Sequence, residues 1–277
     1  MSVSPHFAAY SFVDRITDFV PAKRARGQFA VPAHLPAFSP CLVAEAVGQL
    51  AAWVSMANIG FRGRPVAALA TETRFHGDAV PGRLLDLAVA IESCDDDAVA
   101  YSGSASVDGA EIIELIDCLG PMLPVADFDS PDALRERFDL LCGAGAVAGR
   151  FEGVRLPDVK IVERTPGQAL RATLAVPQSA SFFGDHFPRR AVFPATLLLD
   201  AQMRLALDLA RDVAPWKDGA EPRPARATHV KMRAFILPGQ HVDLAVELAP
   251  AADGRVKAAL NARIDGRVVA TARLEIR

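Results

Sequence analysis

The chain repeats itself at a fixed spacing. Around Pro81 it reads VPGRLLDLAVAIE and around Pro238 it reads LPGQHVDLAVELA, an offset of 157 residues. Ser106-Val107-Asp108-Gly109 recurs as Arg263-Ile264-Asp265-Gly266 at the same offset. An Asp-Gly pair between alternating apolar runs marks a tight hairpin turn. Two independent matches at one offset mean a duplicated unit, so a chain of this kind must build one fold twice.

Each copy runs in the same order. A short strand with a turn (residues 12–26 and 159–174) leads into a long apolar helix. Alternating strands follow at 66–74, 83–92, 98–107 and 111–119, and again at 227–235, 241–248, 255–264 and 267–276. One helix wrapped by an antiparallel sheet is an α+β layer arrangement. The expected division is 1–126 for the first copy, 127–150 for a linker and 151–277 for the second. Within the linker, Ser130-Pro131-Asp132 caps a short helix that runs to Cys142, and Gly143 with Gly145 ends it.

Charge and cysteine content exclude several classes. A net charge of −3 offers no basic surface for nucleic acid. Cys41, Cys94, Cys118 and Cys142 lie far apart without metal-type spacing, as expected of thiols in a reducing cytoplasm. The first ten residues lack a signal pattern, and no run of eighteen uncharged apolar residues occurs, so no membrane span is expected.

The chemistry should sit on the two long helices. The first begins at Ser39-Pro40, a cap residue with proline at the first helical position, and Glu45 is the only charge over residues 41–59. A lone carboxylate on a buried helix is costly unless it is paired or used. Gln49 stands one turn on, where its amide can orient that carboxyl. The second helix begins at Pro194 and carries Asp200 in the equivalent place, but its residue one turn on is Arg204, which favours an ionised carboxylate. Fourteen residues before Asp200 stands His186, in a loop rich in aromatics and proline; fourteen before Glu45 stands Val31. Pro21 and Pro166 are offset by only 145, so about ten residues ahead of the histidine position are missing from the first copy.

These residues resemble a known family. GDHFPRRAVFPATLLLDA is similar to the signature of the bacterial 3-hydroxyacyl-carrier-protein dehydratases, roughly GHFPGxPVMPGVLIxEA. YSFVDRITDFVP resembles that family's opening strand, and SPCLVAEAVGQLAAW its central helix, with Glu45 and Gln49 at the acid and amide positions. The chain departs from the pattern at Arg189, Ala191 and Ala195, where the family has glycine, proline and glycine. The first copy also lacks the histidine, and Ser39-Pro40 shifts the usual Pro-Gly by one.

The resemblance implies a tandem double hotdog, a pseudo-dimer within one chain, with a further homodimer left open. In the family each site takes its histidine from one hotdog and its carboxyl from the other. One composite site here would hold His186 and Glu45, supported by Gln49. The other would hold Val31 and Asp200 neutralised by Arg204, a vestige. Removing water from a 3-hydroxyacyl thioester needs a base for the α-proton and an acid for the hydroxyl, roles suited to a near-neutral histidine and a buried glutamate. Backbone N–H groups near Ala195 would meet enolate charge, and Gly184 would allow close backbone approach beside His186. Arg189 and Arg190 could form a rim for an acyl carrier protein or the phosphate of coenzyme A. No cofactor or metal is expected. Thioester hydrolysis and a non-catalytic acyl-binding module remain open. His6, His34, His76, His229 and His241 read as ordinary surface or core residues.

Overall fold

The computed structural model describes residues 8–213, 216, 221–250 and 255–277; His6 lies outside them. The first copy contains strands β1 (Arg15–Val20), β2 (Arg24–Ala30), β3 (Gly63–Pro65), β4 (Leu69–Phe75), β5 (Leu84–Cys94), β6 (Ala98–Val107) and β7 (Ala110–Pro124), with helix α1 (Pro40–Asn58) between β2 and β3. A 3-10 turn and helix α2 (Pro131–Cys142) connect it to β8 (Val159–Thr165) and β9 (Ala169–Ala175). Helices α3 (Ser181–His186) and α4 (Ala195–Ala210) follow, then β10 (Pro224–Met232), β11 (His241–Pro250), β12 (Val256–Ile264) and β13 (Arg267–Ile276).

Both expected long helices form, and their starts are set locally. Ser39 accepts the N–H of Cys41 at 3.1 Å and Pro40 supplies the first helical φ of α1. Ser130 caps α2 in the same way, through the N–H of Ala133. α1 is long and apolar enough to cross a bilayer, but most of its apolar stretch is buried inside the protein. The two Asp-Gly pairs close the β6–β7 and β12–β13 hairpins with positive φ at both residues, as a type I′ turn requires.

The strands form one antiparallel sheet in the order β1-β2-β5-β6-β7-β4-β10-β13-β12-β11-β9-β8, with β3 paired to β7. That order reads alike from either end, and the copies meet where β4 pairs with β10, Thr228 opposite Glu72 and Lys231 opposite Leu69. α1 packs on β5 and β6, α4 on β11, and the two helices touch each other. This is the α+β arrangement expected. The copies also trade contacts: Phe151, just past the linker, packs its ring 5.0 Å from Phe12 and 6.0 Å from Phe38, in the core of the first copy.

Three features differ from the sequence expectation. His186 ends the short helix α3 and does not lie in an irregular loop. Each opening strand is a two-stranded hairpin. Val31 is not the counterpart of His186. It accepts from Gly82 N–H and donates to Arg83 O, as Val176 accepts from Gly239 N–H and donates to Gln240 O. Counting back from the helix assumed equal loops, whereas the first copy goes from β2 to α1 directly and has no equivalent of α3. The missing ten residues took the histidine-bearing turn with them.

Candidate active site

His186 and Glu45 meet although 141 residues separate them. Nε2 of His186 lies 4.0 Å from Oε1 of Glu45, and each side chain is 14% exposed. The Glu45 carboxyl is held on both oxygens. Gln49 donates to Oε1 at 3.0 Å, and Thr196, in the first turn of α4, donates to Oε2 at 2.7 Å. Tyr10 stacks its ring edge-on to His186 at 5.3 Å and bonds the Thr196 hydroxyl at 2.7 Å.

The segment around Tyr10 ties α1 and α3 together. Gln49 donates to Tyr10 O at 2.9 Å and accepts Phe12 N–H at 2.8 Å. Buried Asp185, the neighbour of His186, accepts the N–H groups of Ala9 and Tyr10 at 3.1 and 2.8 Å. On the other side Arg64 of β3 donates to His186 O at 2.6 Å and lies over the Phe187 ring at 4.6 Å. Tyr10, Arg64, Asp185 and Thr196 were not singled out from sequence. Only Thr196 carried a signal: it stands 155 residues after Cys41, the same offset that relates Asp200 to Glu45.

Burial sets both ionisations. It pushes Glu45 up, against the opposing pull of the Thr196 and Gln49 hydrogen bonds and the Arg64 charge. It pushes His186 down to about 3, and Arg64 adds to the shift. A backbone contact from Val192 opposes it but falls short of full hydrogen-bond geometry, so the buried Nδ1 has no complete partner. At neutral pH the imidazole is neutral, and it faces a carboxyl group whose proton affinity burial has raised.

A cavity of about 210 Å³ opens on these groups, lined by Glu45, His186, Ala195 and Thr196 and, further along, by apolar residues such as Leu115 and Val230. Ala195 is the first residue of α4, and Pro194 ahead of it supplies no side-chain cap. Gly48 also lines the cavity; a Cβ there would stand 3.3 Å from the Tyr101 hydroxyl. The close-approach role expected for Gly184 is not needed by the protein itself, because a Cβ at that position meets nothing within 4 Å.

The mirror position is built from other residues with other contacts. Asp200 accepts from Ser39 Oγ and pairs with Arg204 at 2.9 Å. Cys41, equivalent to Thr196, is buried with its sulfur 3.3 Å from that of Met203, which stands at the place of Gly48. Burial raises the Cys41 thiol well above its ordinary range, so the helix N-terminus does not activate it. Arg189 and Arg190 are exposed; Arg189 donates to Ala126 O, and Arg190 lies over the Phe235 ring at 4.7 Å beside the cavity. The described residues bring together one trio able to chelate a metal, His76, Glu111 and Glu114, and none of the three lines the cavity.

The fold is that of a double hotdog, and known proteins match this chain in sequence and in fold. The family of ApeI-like dehydratases matches residues 162–272. The 3-hydroxyacyl-[acyl-carrier-protein] dehydratase FabZ of Colwellia psychrerythraea is 31% identical over 116 residues, 42% of this chain and 77% of the relative. That of Dechloromonas aromatica is 28% identical over 122 residues, covering 42% and 81%. This chain belongs to the 3-hydroxyacyl-acyl-carrier-protein dehydratase family. Solved structures show the same fold over the whole chain. The dehydratase domain of PpsC from Mycobacterium tuberculosis, in complex with C12:1-CoA, superposes with TM-score 0.54 at 16% identity, covering 97% of this chain and 98% of that one. A putative oleoyl thioesterase from Lactobacillus plantarum gives 0.60 at 11%, covering 92% and 96%.

Proposed function

We propose that the chain dehydrates 3-hydroxyacyl thioesters to trans-2-enoyl thioesters at one composite site, with residues 1–126 supplying the acid and residues 151–277 the base. The observation that carries this reading is the 4.0 Å approach of neutral His186 to buried Glu45 at an apolar cavity. His186 Nε2 takes the α-proton. Glu45 gives its proton to the β-hydroxyl, which leaves as water while the carbon–carbon double bond forms. The product state is an imidazolium facing a carboxylate, and transfer of the proton from His186 to Glu45 restores both. The N–H groups that open α4, at Ala195 on the cavity wall, would meet charge developing on the thioester oxygen.

The substrate rides on an acyl carrier protein or coenzyme A, and the exposed guanidinium of Arg190 beside the cavity suits the phosphate of either. Its place is the cytoplasm, where the four cysteines stay reduced. The test is incubation with a short panel of 3-hydroxyacyl thioesters while enoyl absorbance and free thiol are followed together. Enoyl product supports dehydration. Free thiol without enoyl product overturns it in favour of hydrolysis, and silence across the panel overturns it in favour of an acyl-binding module.

A further inference from the structure

Arg64 sits in a three-residue strand of the first copy, yet its side chain reaches the turn that carries His186 in the second. Nη2 donates to His186 O at 2.6 Å, Nη1 lies 3.5 Å from Asp129 Oδ2, and the guanidinium plane covers the Phe187 ring. Only 15% of the side chain is exposed, and it lines the same cavity as Glu45 and His186. Burying a guanidinium is costly unless its fork is fully used. Here each branch has a partner, and the partners lie on different segments.

We propose that Arg64 is a positioning residue for the composite site, fixing the His186 turn from the opposite copy and presenting a permanent positive charge to the imidazole and to Glu45. This rests on the dehydration reading. The titratable groups facing the imidazole are Glu45 from α1, at 4.0 Å, and Tyr10 from the N-terminal segment, its ring at 5.3 Å; Arg64 from β3 reaches the backbone carbonyl of His186, and Asp185 of α3 turns to the N–H groups of Ala9 and Tyr10. Asp129 and Arg137 stand behind Arg64, paired at 2.7 Å. Burial brings Arg64 down to about 10, so it stays cationic at neutral pH. Its charge lowers the proton affinity of both His186 and Glu45. In the resting enzyme it adds to burial in keeping the imidazole unprotonated and free to accept. After turnover it repels the imidazolium and so favours release of the proton from His186.

Two substitutions separate anchor from charge. Arg64→Gln keeps a donor for His186 O and removes the charge, while Asp129 retains Arg137. Arg64→Lys keeps the charge and loses the planar fork. In Arg64→Gln both limbs of the kcat/KM profile should move to higher pH, because His186 and Glu45 each bind protons more tightly. In Arg64→Lys the limbs should stay in place while kcat falls at least tenfold. A purely structural role would lower the rate in both variants and leave the limbs unmoved, and that result overturns the proposal, as does wild-type kinetics in Arg64→Lys. The His186 imidazole is also titrated by nitrogen NMR, assigned by the signal lost in His186→Asn. An upward shift in Arg64→Gln supports the charge role and no shift refutes it, even if the wild type forms no enoyl product and the dehydration reading itself fails.

Discussion

Replacing Thr196 by valine removes one oxygen and keeps the side chain's shape. That oxygen serves two buried groups, the Glu45 carboxyl at 2.7 Å and the Tyr10 hydroxyl at 2.7 Å. Tyr10 is 1% exposed, so its hydroxyl cannot turn to water. A stranded buried hydroxyl and a lost bond to the carboxyl together cost on the order of 2–3 kcal/mol. For a chain of this size that lowers the melting temperature by roughly 3–5 °C. The kinetic effect has a definite sign. Burial holds Glu45 up and the Thr196 bond holds it down, so without Thr196 its proton affinity rises further. Glu45 must be protonated to act as the acid, so the alkaline limb of kcat/KM should move to higher pH while the maximal rate falls roughly tenfold. Thr196→Ser keeps the hydroxyl and should leave the limb in place. Calorimetry and a pH–rate series on the three proteins decide it. A limb that stays put or moves to lower pH in the valine variant would refute the proposed electrostatics of Glu45.

Three further outcomes are expected. Gly48→Met copies the residue found at the mirror position and should cut turnover at least tenfold by filling the cavity, with cooperative unfolding retained in a thermal melt; unchanged KM and kcat would contradict it. Asp14, whose carboxylate accepts Ala30 N–H at 2.7 Å, is raised by burial to about 6. Its folded form therefore holds a proton that the unfolded chain has released over roughly pH 4–6, so stability falls as pH rises through that window and stays lowered above it. Asp14→Asn should be more stable than wild type at about pH 8 by on the order of 1–2 kcal/mol and nearly equal at about pH 4; the same difference at both pH values in denaturant titrations would rule this out. Arg190→Glu should raise KM several-fold for a carrier-bound substrate and leave a minimal thioester unaffected; an equal change for both would place Arg190 outside carrier recognition.

Much of the fold could be read from the chain because its cues are local. The Pro-Gly and Asp-Gly turns exposed the duplication, and Ser39-Pro40 and Ser130-Pro131 marked two helix starts within a residue. The site was legible where a residue broke its local rule, as with Glu45 alone on an apolar helix. Arg64, Tyr10 and Asp185 were not, because each works through backbone or ring contacts made far along the chain. Nothing in the spacing of Gly63-Arg64-Pro65 distinguishes a strand of three residues from a loop. Val31 was misplaced for a related reason. Counting back from the helix assumes equal connections; the offset of Pro21 and Pro166 gave the ten-residue deficit, and the hydrogen bonds to Gly82 and Arg83 place it after Val31, where the second copy carries α3.

The central claim, that one site built from both halves does the chemistry, is tested most directly by enoyl formation from a 3-hydroxyacyl thioester with wild type, Glu45→Gln, His186→Ala and Asp200→Asn. Glu45→Gln and His186→Ala should each lose roughly 10²-fold or more in turnover. Asp200→Asn should stay within about tenfold of wild type, since its carboxylate is engaged by Ser39 and Arg204. Turnover near wild type in His186→Ala, or a loss in Asp200→Asn as large as in Glu45→Gln, would contradict the single composite site.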